Sequence, residues 1–225
     1  MMREEKLAQA ICSVIYPVPK GDDAVIIIPN NGVFITPFHV LTSWHIIQEA
    51  AKHAKDHYAV TFENNWGEKV SIKPALLENA FHDAAKDLAI IELDNPIGYG
   101  LTLEPITSAT LEESPSEDTV LVAEFQRQIS VNLAVEVEDL TRRYRDSGLI
   151  SDDFSGFSTY ASIEGGFSGA PVVNNQDRVI SILSGEPRSE VGLQEPGRIK
   201  PFIAPSPRAL AEFIDEFMEE VLGLD

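Results

Sequence analysis

Short apolar runs separated by Gly, Pro, Asn or Asp recur along most of the chain. In the first half they are AICSVIYPV, AVIIIP, GVFITP, HVLT, YAVTFE, KVSIKPALL and LAIIEL. The second half continues with TVLVAEF, ISVNLAVEVEDL, TYASI, APVVN, RVISILSG and KPFIAP. Runs of this length, rich in β-branched residues and bounded by turn residues, are typical of strands. Their number and spacing predict an all-β barrel or sandwich.

Two segments instead show helical periodicity. HIIQEAAKHAKDH, which begins at His45, is rich in Ala and Lys and has a polar face. Near the end, PRALAEFIDEFMEEVLGLD places one stripe of apolar residues along a helix: Leu210, Phe213, Ile214, Phe217, Val221 and Leu222. Such a stripe predicts a helix that packs on the body of the protein.

One polar stretch divides the β-rich part of the chain into two. Residues 107–118 are rich in Ser, Thr and acids and lack apolar periodicity, which predicts a linker. We therefore expect one β unit over residues 1–106, a second over 119–205, and a closing helix over 206–225.

Composition and charge narrow the classes of partner and compartment. The formal net charge of −19 disfavours binding to nucleic acid or to an anionic membrane surface, because both need Lys and Arg. No apolar run approaches the ~20 residues that span a bilayer, and the first residues mix acids with bases, unlike a signal peptide. Cys12 is the single cysteine, which excludes an internal disulfide, so we expect a reducing compartment, the cytoplasm.

The stretch GGFSGAPVV, residues 165–173, surrounds Ser168 with glycines. Gly and Ser are common turn residues, so a plain turn is one interpretation. A nucleophile whose neighbouring N–H groups face a reacting oxygen is another. The choice depends on whether a base and an orienting acid occur elsewhere, since a serine hydroxyl needs a base to take its proton.

The chain offers five histidines as the base. His53 and His57 lie four apart on the predicted helix, but without a nearby third ligand they indicate a solvated face and no metal site. His39 alternates within a strand pattern, and His82 lies in a polar stretch that we interpret as a loop. His45 ends the stretch GVFITPFHVLTSWH, at a strand end where a rigid sheet can hold a side chain beside a cleft.

The acid that would orient this histidine is Asp87, which opens the apolar run DLAIIEL. A carboxylate drawn towards a core needs a partner, and a histidine N–H is a good one. Asp83 and Asp94 lie in polar or turn contexts and indicate ordinary surface acids.

With His45, Asp87 and Ser168 in this order, the sequence resembles the trypsin-like (chymotrypsin-fold) serine proteases, of the bacterial, HtrA-like, disulfide-free type. GVFITPFHVLTSWH resembles the family's approach to its histidine, KDLAIIEL the strand with its aspartate, and GGFSGAPVV its nucleophile loop. The separations along the chain also resemble the family's usual ones, and the resemblance covers about residues 10–205.

The resemblance implies two six-stranded antiparallel β-barrels, with the active site between them, and a C-terminal helix. His45 and Asp87 would belong to the first barrel and Ser168 to the second, and the N–H groups of Gly166 and Ser168 would form the oxyanion hole. The implied substrate-binding residues are Ser162, Ile163, Ser184, Gly185 and Glu186. Ser162 stands at the base of the specificity pocket and carries no charge, which predicts small or medium apolar residues before the scissile bond.

The resemblance implies a serine endopeptidase that works through an acyl-enzyme and needs no cofactor or metal. Its partners would be a protein or peptide substrate and, if it is latent, an activating protein. Two departures keep as the alternative a catalytically silent or latent module of the same fold that binds peptides or a regulatory partner. Trp44 stands where the family has a small residue, and Phe167 where it has an acid or Asn, which excludes activation by pairing with a cleaved N-terminus.

Overall fold

The structure, a computed structural model, is mostly β. It describes residues 3–20, 24–53, 60–72, 77, 80–97, 101–111, 119–124, 127–132, 156–161, 168–184 and 200–224. The first-half strands are β1 (Ile11–Lys20), β2 (Ala24–Thr36), β3 (His39–Ser43), β4 (Val60–Glu63), β5 (Lys69–Ile72), β6 (Phe81–Asp83) and β7 (Leu88–Glu92). The second-half strands are β8 (Thr119–Glu124), β9 (Arg127–Asn132), β10 (Gly156–Ala161), β11 (Pro171–Val173), β12 (Val179–Ile182) and β13 (Lys200–Pro205).

The structure also describes helices before, between and after these strands. In chain order they are α1 (Arg3–Ala10), α2 (Trp44–His53), α3 (Ser108–Leu111) and α4 (Pro207–Glu220). None of them is long and apolar enough to cross a membrane. The short helix α3 lies at the start of the predicted linker, most of which falls outside the described residues.

The first-half strands form one antiparallel sheet in the order β5-β4-β1-β2-β3-β7-β6. It has seven strands where the prediction was six, because the short run Phe81–Asp83 pairs with β7 instead of forming a loop. The predicted break at Pro29 and the two asparagines after it is also wrong. The long strand β1 pairs with β2 through this point, from Ile11↔Val33 to Lys20↔Ala24, and this pairing overrides the local turn preference.

Strands β3 and β7 are buried on both faces, and this brings the two halves of the chain together. Their side chains point alternately to opposite faces. Val40 and Ala89 belong to a core cluster inside the first-half sheet, beneath α2. Leu41 and Ile90 belong to a second cluster that also contains second-half residues and helix α4. The end of strand β3 at Ser43 therefore lies at the junction of the two halves.

In the second half, the described strands form a four-stranded sheet, β12-β11-β8-β9, and the pair β10-β13. Helix α4 begins at Pro207 after the N-cap Ser206, whose hydroxyl accepts a hydrogen bond from the N–H of Ala209. The predicted stripe is buried from Leu210 to Phe217, whereas Val221 lies beyond the helix end and is exposed. The predicted fold class, all-β with a C-terminal helix, is thus confirmed.

Candidate active site

His45 and Asp87 form a closely bonded pair at the start of α2. The His45 Nδ1 atom lies 2.8 Å from Asp87 Oδ2, and the backbone N–H of His45 donates to Asp87 Oδ1 over 2.8 Å. Because a carboxylate only accepts hydrogen bonds, Nδ1 carries the shared proton. The neutral ring then presents an unprotonated Nε2, which can act as a base.

The backbone of Asp87 is held in an unusual conformation. Its φ of +54° lies in the left-handed region, which costs a non-glycine residue about 1 kcal/mol. The carbonyl of Asp87 accepts a hydrogen bond of 3.1 Å from the N–H of Trp44. Strain of this kind persists where the surroundings fix it and is common at functional sites.

Asp83 shapes the turn that leads to Asp87. Its Oδ1 atom accepts hydrogen bonds from the N–H groups of Ala85 and Lys86, and its Oδ2 atom lies 3.0 Å from the Lys86 ammonium. Partial burial alone would raise the pKa of Asp83, but the hydrogen bonds and charge of Lys86 outweigh it and lower that pKa. Asp83 therefore has a structural role in the turn.

Ser168 lies in a turn that is attached to strand β2. Its carbonyl accepts a hydrogen bond of 2.9 Å from the N–H of Asn31 and a longer one of 3.4 Å from the Asn31 carboxamide. The side chain of Ser168 is half-buried. The second-half residue Ser168 is therefore fixed directly on the first-half sheet.

The position of Gly169 in this turn requires a residue without a side chain. Its φ is +80°, and an added Cβ would stand 1.9 Å from the Asn31 carbonyl oxygen and 2.5 Å from Thr42 Oγ1. Its N–H donates to the carbonyl of Leu183 over 2.8 Å. The turn can approach the sheet this closely only because no side chain intervenes.

Two buried hydroxyls of the strand that precedes His45 bond to the residues that hold the serine turn. Thr42 Oγ1 donates to the Asn31 carbonyl over 2.7 Å, and Ser43 Oγ donates to the Leu183 carbonyl over 2.9 Å. The Leu183 carbonyl also accepts a hydrogen bond from the Gly169 N–H. This one carbonyl therefore joins the serine turn to the strand that ends at Ser43.

The structure thus brings Ser168 to the strand that ends two residues before His45. Within the part of the chain that the structure describes, no hydrogen bond joins Ser168 to His45. Ser184 is described, and its buried Oγ finds no partner there. The other predicted oxyanion-hole and substrate-binding residues lie outside the described residues: Gly166, Ser162, Ile163, Gly185 and Glu186.

Trp44, which departs from the family pattern, leaves the His45–Asp87 contact in place. Its indole is partly buried against the first-half core and stacks on the ring of His82, with centroids 3.7 Å apart and planes inclined by 11°. The prediction of a loop at His82 is wrong, since the residue belongs to β6 and pairs with Ala89.

The sequence reasoning missed Asn31, Thr42 and Ser43 as site-building residues. A usable signal existed for the hydroxyls. Thr42 and Ser43 directly follow two apolar residues in a strand that is buried throughout, and buried hydroxyls need hydrogen-bond partners. Asn31 gave no comparable signal, because its role depends on a partner 137 residues away.

Comparison with known proteins supports a family assignment. A sequence model of the family described as a trypsin-like peptidase domain matches residues 27–182, more than half of the chain. The match includes His45, Asp87 and Ser168. A search of curated proteins found no match. Among the described residues, no group of three or more His, Cys, Asp or Glu side chains is placed to hold a metal ion.

Proposed function

Because the chain belongs to the trypsin-like peptidase family, we propose that it is a serine endopeptidase with Ser168 as nucleophile, His45 as general base and Asp87 as the orienting acid. The observation that carries this proposal is the pair of 2.8 Å contacts between His45 and both Asp87 carboxylate oxygens, next to the attached Ser168 turn.

The reaction follows from the proton arrangement of the histidine. Nε2 of His45 takes the Ser168 hydroxyl proton as Oγ attacks the substrate carbonyl carbon, and Asp87 stabilises the imidazolium that forms. The imidazolium then gives this proton to the leaving amine as the peptide bond breaks, which leaves an acyl-enzyme. Water attacks the ester with the same base and releases the acid, so Ser168 regains its proton.

The way the serine turn is held supports the role of Ser168. In free enzymes the bond between nucleophile and base is often long and tightens when substrate binds, so its absence here does not count against the pair. The Asn31 N–H holds the Ser168 carbonyl, and the Gly169 N–H holds the backbone that follows it.

We assign the oxyanion hole to the N–H groups of Ser168 and Gly166. This assignment follows the resemblance of GGFSGAPVV to the family's nucleophile loop, and it is compatible with the Gly169 N–H, which donates to the Leu183 carbonyl instead. A preorganised N–H pair of this kind stabilises the charge that develops on the carbonyl oxygen, at about 3 kcal/mol for one donor.

The substrate is proposed to be an extended protein or peptide with a small or medium apolar residue before the scissile bond. The uncharged Ser162 supports this preference, and Ile163, Ser184, Gly185 and Glu186 complete the proposed binding wall. A peptide-library profile dominated by Arg and Lys would show instead that an acid such as Glu186 lines the pocket.

Peptide hydrolysis by wild type, Ser168→Ala and Ser71→Ala tests the proposal. Ser71 is exposed on β5, so its variant controls for loss of a hydroxyl elsewhere. Ser168→Ala should fold normally and lose about 10⁶-fold in kcat, while Ser71→Ala retains wild-type activity. A Ser168→Ala protein with wild-type turnover would contradict the proposal. A folded wild type that cleaves nothing would favour the silent or latent module.

A further inference from the structure

We infer that the stacked rings of Trp44 and His82 position the His45–Asp87 pair, and that the activity of the site depends on this stack. The inference rests on the proposed function, which needs the side chains of His45 and Asp87 to stay in hydrogen-bond contact. Trp44 and His82 are positioning residues here, because they act through the pair.

The stack joins the two segments that carry the histidine and the aspartate. Trp44 begins α2 and directly precedes His45. His82 lies at the centre of β6, opposite Ala89 on β7, in the hairpin whose turn ends at Asp87. The ring planes are inclined by only 11° with centroids 3.7 Å apart, so the contact is face to face.

Each ring is independently fixed. The indole of Trp44 packs against the core cluster beneath α2. His82 is exposed, yet its Nδ1 lies 2.9 Å from the Ala80 carbonyl oxygen. A carbonyl only accepts, so Nδ1–H donates and holds the imidazole plane parallel to the indole. The stack therefore connects the core to the outer strand of the hairpin.

The other contacts of the turn do not perform this task. Asp83 bonds to Ala85 and Lys86, which lie in the same turn, so it sets the shape of the turn and not its distance from α2. The β3–β7 pairing places Leu88 opposite Ser43, just before α2. Among the described residues of the hairpin, those hydrogen-bonded to α2 itself reduce to Asp87. The stack adds a second point of attachment, on the opposite arm of the hairpin.

Asp87 requires such support because its backbone is strained. With φ at +54°, the residue keeps this conformation only while its surroundings hold it. The pairing of Leu88 with Ser43 holds one side of the turn, and the stack holds the other. A shift of about 1 Å in a catalytic group can lower the rate by up to about 100-fold. Loss of the stack should thus reduce the fraction of molecules in which Asp87 holds the His45 ring.

Nitrogen-15 NMR of the histidine rings, combined with kinetics, tests the inference on the full-length protein. The Nδ1–H proton shared with Asp87 gives a low-field signal, assigned to His45 by its loss in Asp87→Ala. His82→Ala should broaden this signal and lower kcat about tenfold, with KM unchanged. His82→Phe, which keeps a flat ring, should restore both, and Trp44→Phe should have an intermediate effect.

Trp66→Ala is the matched control, since Trp66 is exposed in the turn between β4 and β5, at the other end of the strand order. It should change neither readout. An unchanged low-field signal in His82→Ala would overturn the inference, as would equal losses in His82→Phe and His82→Ala. If the wild type cleaves no peptide, the proposed function fails, but the NMR comparison still decides whether the stack holds the pair.

Discussion

The two sides of the candidate site are held by different means. On the first-half side, functional groups of side chains make the contacts: both carboxylate oxygens of Asp87 bond to His45, and two aromatic rings stack beside them. On the second-half side, the Ser168 turn is held by backbone N–H and carbonyl groups and by the missing side chain of Gly169.

The difference teaches which substitutions each side tolerates. The His45–Asp87 side should be sensitive to a change of chemistry at constant volume. The serine turn should be sensitive to added volume even when no functional group is lost. A control of the same chemistry elsewhere in the chain separates these two kinds of sensitivity.

Asp87→Asn gives the largest expected effect. The backbone N–H of His45 should keep the amide oxygen as its partner, which turns the amide NH₂ towards Nδ1. Nδ1 must then accept, so the ring proton moves to Nε2 and the base is lost. We expect kcat to fall about 10⁴-fold, with little change in the free energy of unfolding.

The control is Asp94→Asn, an exposed aspartate of the first-half side. Kinetics on a common peptide, with urea unfolding of each variant, provides both measurements. Equal activity of Asp87→Asn and Asp94→Asn would mean that Asp87 does not set the histidine tautomer.

Gly169→Ala tests the sensitivity of the serine turn to added volume. Its φ of +80° resembles the +79° of Gly67, but an added Cβ meets Asn31 and Thr42 at position 169 and nothing within 4 Å at position 67. Gly67→Ala should cost about 1 kcal/mol through backbone strain alone. Gly169→Ala should cost about 1–3 kcal/mol more from overpacking, and should displace Ser168 and abolish activity.

The free energies of unfolding of the two glycine variants give this comparison directly. The shared left-handed conformation cancels between them, so the difference reports crowding. If both variants lose the same stability and stay active, the close approach of the turn to Asn31 is not needed for the site.

Ser43→Ala removes one of the hydroxyls that connect the two sides. The buried Ser43 Oγ donates to the Leu183 carbonyl, which keeps its second donor, Gly169 N–H. A lost buried hydrogen bond of this kind costs about 1 kcal/mol, and activity should fall moderately. Ser71 is exposed, so Ser71→Ala should change the free energy of unfolding by no more than about 0.5 kcal/mol. Equal unfolding midpoints for both variants would argue against the connection.

His39 gives the smallest expected effect, on stability and not on activity. It is buried on β3, with Nδ1 2.7 Å from Thr36 Oγ1 and its ring edge-on to Phe217 of α4. Burial lowers the pKa of His39 below 6.5, and the charge of Glu92, opposite on β7, only partly opposes this.

A lowered pKa means that the unfolded chain binds the proton of His39 more readily than the folded protein does. Its contribution to stability is then complete above pH ~6.5 and is lost as the pH falls through the folded-state pKa. Urea unfolding at pH 7.5 and 5.5 should show a smaller pH dependence in His39→Gln than in wild type. Identical pH dependence in the two proteins would exclude His39 as its source.

The sequence was sufficient for the fold class because strand alternation and turn residues are local signals. It also singled out His45, Asp87 and Ser168, whose neighbours form recognisable motifs. The closing helix was predictable from Leu210 to Phe217, since one apolar stripe must be buried.

The contacts that join the two sides could not be predicted, because they depend on distant partners. Asn31 sits within a stretch typical of a turn, and only its pairing with β1 makes it part of a strand. The stack of Trp44 on His82 requires β6, a three-residue strand too short to show a pattern of its own. Local preference carries no information about either contact.

The most direct test of the central claim is labelling with a fluorophosphonate, which mimics the tetrahedral intermediate and reacts only with an activated serine. Intact-mass measurement should show one label per chain on the untreated protein, located at Ser168 by peptide mapping and lost in His45→Ala. Absence of labelling in a folded wild-type protein, under every condition tried, would contradict an active site built from His45, Asp87 and Ser168.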